Sequence, residues 1–104
     1  MSRMVRRPPP DEITARQLRL ALAAVGYITE AEAEEWARRN ALPAIVLAVI
    51  AALPQEMQFA ARMTALDMTT VPRLDPLLTA ALGVVDPPAT EAERDDLFRL
   101  AVTL

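Results

Sequence analysis

The chain has 104 residues, a formal net charge of −3 and neither histidine nor cysteine. This length fits one domain, and the missing residue types exclude disulfides and thiolate metal sites and remove the most common general base. Hydrophobic residues make up 53% of the chain but aromatic residues only 4%, which favours helices packed through aliphatic side chains.

The first ten residues, MSRMVRRPPP, form a basic segment that ends in three prolines. Consecutive prolines favour an extended polyproline II conformation. We therefore predict an extended N-terminal arm over residues 1–10, followed by a single helical domain over residues 11–104. Because the positive arm could bind an acidic protein surface, that of another protein or of a second copy, its residues are candidates for partner binding. They are Arg3, Arg6, Arg7, Pro8, Pro9 and Pro10.

Helix one is predicted to begin near Asp11 or Thr14 and to run to Val25. Apolar residues recur within it at spacings of four and three, as they do along the buried side of a helix. Gly26 then stands where many helices end with a residue in the left-handed conformation.

Helix two is predicted over Ala31–Arg39, because Thr29 and Glu32 form a capping-box pattern ahead of it. Its glutamates and arginines are spaced for exposed i,i+4 pairs, Glu34 with Arg38 among them. Trp36 has two open interpretations, as a core anchor or as an interface hot spot. It therefore joins the candidate partner-binding residues.

The most apolar stretch is Ala41–Leu53, ALPAIVLAVIAAL. It is shorter than the roughly 20 residues that a membrane-spanning helix needs, and Pro43 suits the first turn of a helix. A helix that is apolar all round belongs in a core. We predict a central helix, Pro43–Leu53, surrounded by the others, and any side left uncovered is where a partner is expected.

Three further helices are predicted in the second half of the chain. Helix four begins after Pro54, helix five spans Pro76–Leu82 and is closed by Gly83, and helix six runs from Glu91 to about Val102 behind a second capping box. The expected fold class is all-α, a compact orthogonal bundle of five to six short helices around the central apolar helix.

The methionines and the acidic clusters each allow a functional and a structural interpretation. Met57, Met63 and Met68 could make an adaptable binding surface, but we favour core filling. The carboxylates at the starts of helices two and six could suggest a metal or acid–base site, yet acidic residues are favoured there electrostatically. Phosphate loops and nucleophile elbows are missing. We expect a non-enzymatic protein without cofactor, metal or small-molecule substrate.

Three segments, Ile13–Ala33, Ala41–Met63 and Asp95–Leu104, together cover most of the chain. They resemble small helical proteins encoded in the tail modules of phages and prophages of alphaproteobacteria. The resemblance implies an all-helical virion or tail-fibre-associated protein and carries no catalytic residue. The expected function is a structural or adaptor subunit of the tail, assembled in the host cytoplasm, that binds other virion proteins or copies of itself.

A second interpretation is a small helical regulatory or assembly-chaperone protein that binds a single protein partner. A helix-turn-helix DNA-binding protein is a third, but acidic residues at the starts of helices two and six would face the phosphates. We therefore expect no nucleic-acid partner, and we predict neither a signal peptide nor a transmembrane segment.

Overall fold

The computed structural model describes residues 8–104, and within them six helices and two short strands form one bundle. The helices are α1 (Ala15–Ala24), α2 (Glu30–Ala37), α3 (Ala44–Ala51), α4 (Gln55–Asp67), α5 (Pro76–Val84) and α6 (Glu91–Ala101), and the strands are β1 (Glu12–Thr14) and β2 (Thr70–Pro72). The predicted all-α fold class is confirmed. Arg3, Arg6 and Arg7 lie outside the described residues.

A small antiparallel sheet joins the start of the domain to its middle. In its register Ile13 stands opposite Val71, and both side chains are buried. The ladder continues at both ends, because Ala15 N–H donates to Thr69 O and Arg73 N–H donates to Asp11 O, each at 2.8 Å. These strands differ from the prediction from sequence, which included helices alone. Helix α1 begins after its N-cap Thr14, so the alternative start near Asp11 is wrong.

The core surrounds α1 rather than α3. Helix α1 packs against α2, α6 and both strands, whereas α3 packs against α5 and α4. Val46, Val49 and Ile50 of α3 are buried, but Leu47 is 46% exposed. The prediction that the other helices surround α3 is therefore corrected, because one side of α3 is not covered by them. Much of this uncovered side is alanine, whose exposure costs little.

Helix α3 is apolar and uncovered on one side, and it has eight residues. Among residues 8–104, no helix has both the length and the apolar character that crossing a bilayer requires.

Local capping signals explain where most helices start. Both predicted capping boxes form, with Thr29 and Thr90 as the N-caps of α2 and α6, and a third forms at Thr14 of α1. Gly26 has a φ of 85° after α1, as predicted. Gly83 lies inside α5, so the predicted end of that helix is wrong.

The carboxylate of Glu32 connects the starts of two helices. Its two oxygens accept hydrogen bonds from Ala44 N–H at 2.8 Å and from Thr29 N–H at 3.0 Å. Because these donors, Ala44 first and Thr29 second, favour the charged form, they hold the pKa of Glu32 below its usual range. The ionised form of Glu32 is therefore more favoured in the folded state than in the unfolded one.

This linkage predicts an acid-sensitive contribution to stability. A lowered pKa in the folded state stabilises the fold above the unfolded value of about 4.3, and the contribution is lost as the pH falls through the folded value. For Glu32→Gln we expect a smaller decrease in the free energy of unfolding between about pH 6 and about pH 3 than for the wild type, measured by urea titration with circular dichroism.

Glu91→Gln is the matched control, because Glu91 is an exposed glutamate in the first turn of α6. It should keep the pH profile of the wild type. A Glu32→Gln profile that runs parallel to the wild-type profile would contradict the role of Glu32.

Candidate protein-binding surfaces

The structure gives different settings to the predicted site residues that it describes. Pro8 is exposed, and Pro9 and Pro10 are half-buried just before β1. Trp36 is only 2% exposed, and its indole Nε1 donates a hydrogen bond of 2.9 Å to Ala65 O. Of the two interpretations of Trp36, the structure supports the core anchor. A role in partner binding stays a prediction, and burial limits it to supporting neighbouring side chains.

An open groove lies between α1 and α2. Arg19, whose guanidinium lies over the Trp36 ring, is one of the residues that line it. The groove has a volume of about 570 Å³, and its lining is mostly apolar. Four alanines and two exposed leucines make up this apolar part: Ala23, Ala24, Ala33, Ala37, Leu20 and Leu104. Because alanine side chains are short, another backbone can approach both helices closely at this groove.

The charged residues of the groove are separated by sign. Helix α1 contributes Arg16 and Arg19, and α2 contributes Glu30 and Glu34. The guanidinium of Arg19 lies 5.4 Å from the centre of the Trp36 ring, so the beginning of α1 lies beside the end of α2. Glu30 lies at the opposite end, where α2 begins, and Glu34 lies one turn further towards the middle of the groove. The groove therefore has a basic end and an acidic end.

None of these four groove side chains takes part in an ion pair within residues 8–104. The predicted pair of Glu34 with Arg38 is not formed, because Arg38 approaches Glu35 at 3.7 Å instead. The Nε atom of Arg19 is buried and has no hydrogen-bond partner. Burial, with the positive charge of Arg39 second, lowers the pKa of Arg19.

A second surface is formed by the outer sides of α3 and α4, which pack on each other. It exposes Leu47 by 46%, Met57 by 52%, Phe59 by 66% and Met63 by 40%. Only Ala65 of α4 is fully buried, Ala61 and Leu66 pack partly buried against the core, and the other large apolar side chains of α4 are exposed. We call the four exposed residues the α3–α4 surface.

The α3–α4 surface corrects the interpretation of the methionines as core residues. Met57 and Met63 are exposed, and only Met68 packs partly buried against the core. Phe59 and Met63 are one helical turn apart and thus neighbours, and the Arg62 guanidinium lies 5.9 Å from the Phe59 ring centre. Phe59 and Met63 therefore form an exposed apolar patch on one side of α4, while Met57, two residues before Phe59, is exposed on another side of the helix.

The acidic start of α6 is engaged in contacts within the fold. Asp95 accepts a hydrogen bond of 3.2 Å from Arg73 and lies 3.7 Å from Arg94, while the Glu93 side chain caps Thr90 N–H. In the part of the chain that the structure describes, no group of three or more potential metal ligands occurs.

The described part of the molecule therefore has two uncovered surfaces, one apolar and one that carries charges of both signs.

No family model matches the chain, and comparisons with curated proteins and with solved structures found no match either.

Proposed function

We propose that this protein is a non-enzymatic adaptor that binds another protein through the α3–α4 surface. The observation that supports it is the orientation of α4, in which the Phe59 side chain is 66% exposed and only Ala65 is fully buried. A helix of a globular protein normally turns its large apolar side chains towards the core. Large apolar side chains grouped on the outside are typical of binding surfaces.

The side chains on this surface suit a binding role. Phe59 is an aromatic side chain that can fill a partner's pocket, and aromatic anchors of this kind carry much of the energy of an interface. Met57 and Met63 are flexible and polarizable, so they can adapt to the shape of a partner. The partner should therefore present an apolar face with a pocket.

The resemblance to phage tail-module proteins supports a role for this adaptor in a phage tail. Leu47, Met57, Phe59 and Met63 all lie within Ala41–Met63, one of the three segments that carry that resemblance. In this proposal the partner is another virion subunit, and the protein is a structural component of the tail or tail fibre.

The test is incorporation into particles assembled with a variant as the only source of the protein. The wild-type protein should be found in purified particles by mass spectrometry. For Phe59→Asp we expect about thirtyfold weaker binding, corresponding to the loss of a hot spot of about 2 kcal/mol. Such a loss should largely remove the protein from particles, while its thermal unfolding stays close to that of the wild type.

Ala80→Asp is the matched control, because it introduces the same charge at an exposed position of another helix, α5. It should be incorporated normally. A wild-type protein that associates with assembly intermediates but is absent from purified particles would refute the structural role and favour an assembly chaperone.

A further inference from the structure

We propose that the groove between α1 and α2 is a self-association site, where two copies pack antiparallel about a twofold axis. In this arrangement the basic end of each groove meets the acidic end of the other. The site is separate from the α3–α4 surface, so this proposal goes beyond the adaptor function and does not depend on it.

The charge distribution favours a second copy as the occupant. In a twofold interface the same patch is used on both subunits, so a patch of one sign would repel itself. This groove has Arg16 near the start of α1 at one end and Glu30 at the start of α2 at the other, with Arg19 and Glu34 between them. Antiparallel packing would bring Arg16 to the same end of the interface as Glu30 of the second copy. Unlike charges would then face each other at both ends.

The unpaired state of these groups supports the same arrangement. Among the described residues, none of the four has an ion-pair partner, and the buried Nε of Arg19 has no acceptor. Arg16 and Glu30 are exposed, so their charged groups are available to pair across the interface.

The apolar middle of the groove can accommodate a second copy. Leu20 is 40% exposed and, with Ala23, lies between the charged ends where the twofold axis would pass. The Leu20 side chain of each copy could enter the alanine-lined part of the other groove. Small residues at such a contact allow helix axes to approach to about 8–10 Å.

Two other occupants fit the groove less well. An anionic amphiphile would be attracted by the two arginines, but its apolar chain would lie against the glutamates. The basic arm of residues 1–10 would be attracted by the glutamates, but it would meet the two arginines. Only a ligand that carries both signs in the reverse order satisfies both ends, and a second copy carries them in that order.

A charge-swap experiment on the full chain tests the proposal. We expect light scattering to show a dimer for the wild type. Arg16→Glu alone and Glu30→Arg alone would each place like charges opposite each other, and each should weaken dimerisation by at least about tenfold. The double variant Arg16→Glu/Glu30→Arg should recover dimerisation, because it restores unlike charges across the axis.

Matched variants separate the groove from general effects of charge. Glu91→Arg makes the same change in the first residue of α6, Arg62→Glu reverses an arginine on α4, and both should remain dimeric. Phe59→Asp should also remain dimeric, so failure of this proposal is distinguishable from failure of the adaptor function.

Several results would overturn the self-association site. One is a wild-type protein that stays monomeric up to about 1 mM. Another is a double variant that dimerises no better than its single parents. A third is a dimer that dissociates when Arg3, Arg6 and Arg7 are reversed in charge but not when Arg16 is reversed, since the arm would then mediate self-association.

Discussion

Replacing Phe98 by alanine is expected to lower the free energy of unfolding by about 3–5 kcal/mol. Phe98 is 0% exposed and lies on α6, which packs against α1 at the centre of the core. The substitution removes buried apolar surface and leaves a cavity that the neighbouring helices can only partly fill. Domains of this kind have a total stability of about 5–15 kcal/mol. The variant should therefore be close to unfolding at moderate temperature.

The other phenylalanine of the chain is the matched control. Phe59→Ala makes the same chemical change at a side chain that is 66% exposed, so its effect should stay within about 0.5 kcal/mol. Urea titrations of both variants followed by circular dichroism measure the difference. Equal destabilisation by the two substitutions would be incompatible with the placement of these side chains.

Trp36→Ala is expected to be similarly destabilising, by about 3–5 kcal/mol. The indole is 2% exposed, and its Nε1–H donates to Ala65 O at 2.9 Å, so the substitution removes both core volume and a buried hydrogen bond between α2 and α4. Because Trp36 is the only tryptophan of the chain, unfolding of this variant has to be followed by far-ultraviolet circular dichroism rather than by fluorescence.

Trp36→Phe separates the two contributions. It keeps most of the apolar volume but leaves the Ala65 carbonyl without its buried donor, which should cost about 1–3 kcal/mol. We therefore expect a stability order of wild type, then Trp36→Phe, then Trp36→Ala. If Trp36→Phe were as stable as the wild type, the hydrogen bond to Ala65 would contribute nothing measurable.

Features that depend on a few neighbouring residues could be predicted from the sequence. Thr29 with Glu32, and Thr90 with the glutamate three positions later, form the capping boxes that the structure shows. Gly26 takes the left-handed conformation expected after a helix. Such signals act within one helical turn, so they survive any packing arrangement. The sheet could not be predicted, since β1 and β2 are short and far apart in the sequence.

The direction in which each helix faces was less accessible to prediction. Hydrophobic periodicity identifies a buried side only where the other side is polar, and α3 and α4 carry apolar residues on both sides. In α4 the small residues Ala61 and Ala65 point towards the core while Phe59 and Met63 point away from it. Composition offered no means of choosing between these sides.

The charged groove could not be predicted from the sequence for a related reason. Glu30 is explained locally by the electrostatic preference of helix starts, and Glu34 one turn later is an ordinary exposed helix residue, so nothing in their own segment points to a site. Their relation to Arg16 and Arg19 emerges only when α1 and α2 pack side by side with opposite ends together. The partner-binding role of the N-terminal arm stays a prediction.

The β1–β2 ladder determines how the molecule would respond to mechanical load. It ties residues just before α1 to residues just after α4, so four helices lie within one closed loop of chain. Tension applied to the chain ahead of Pro8 would reach this ladder before it reached α1. Separating the strands would expose Ile13 and Val71, which are 3% and 2% exposed. A force that pulls on the arm would thus act on the two paired strands before it acts on the four helices that the loop encloses.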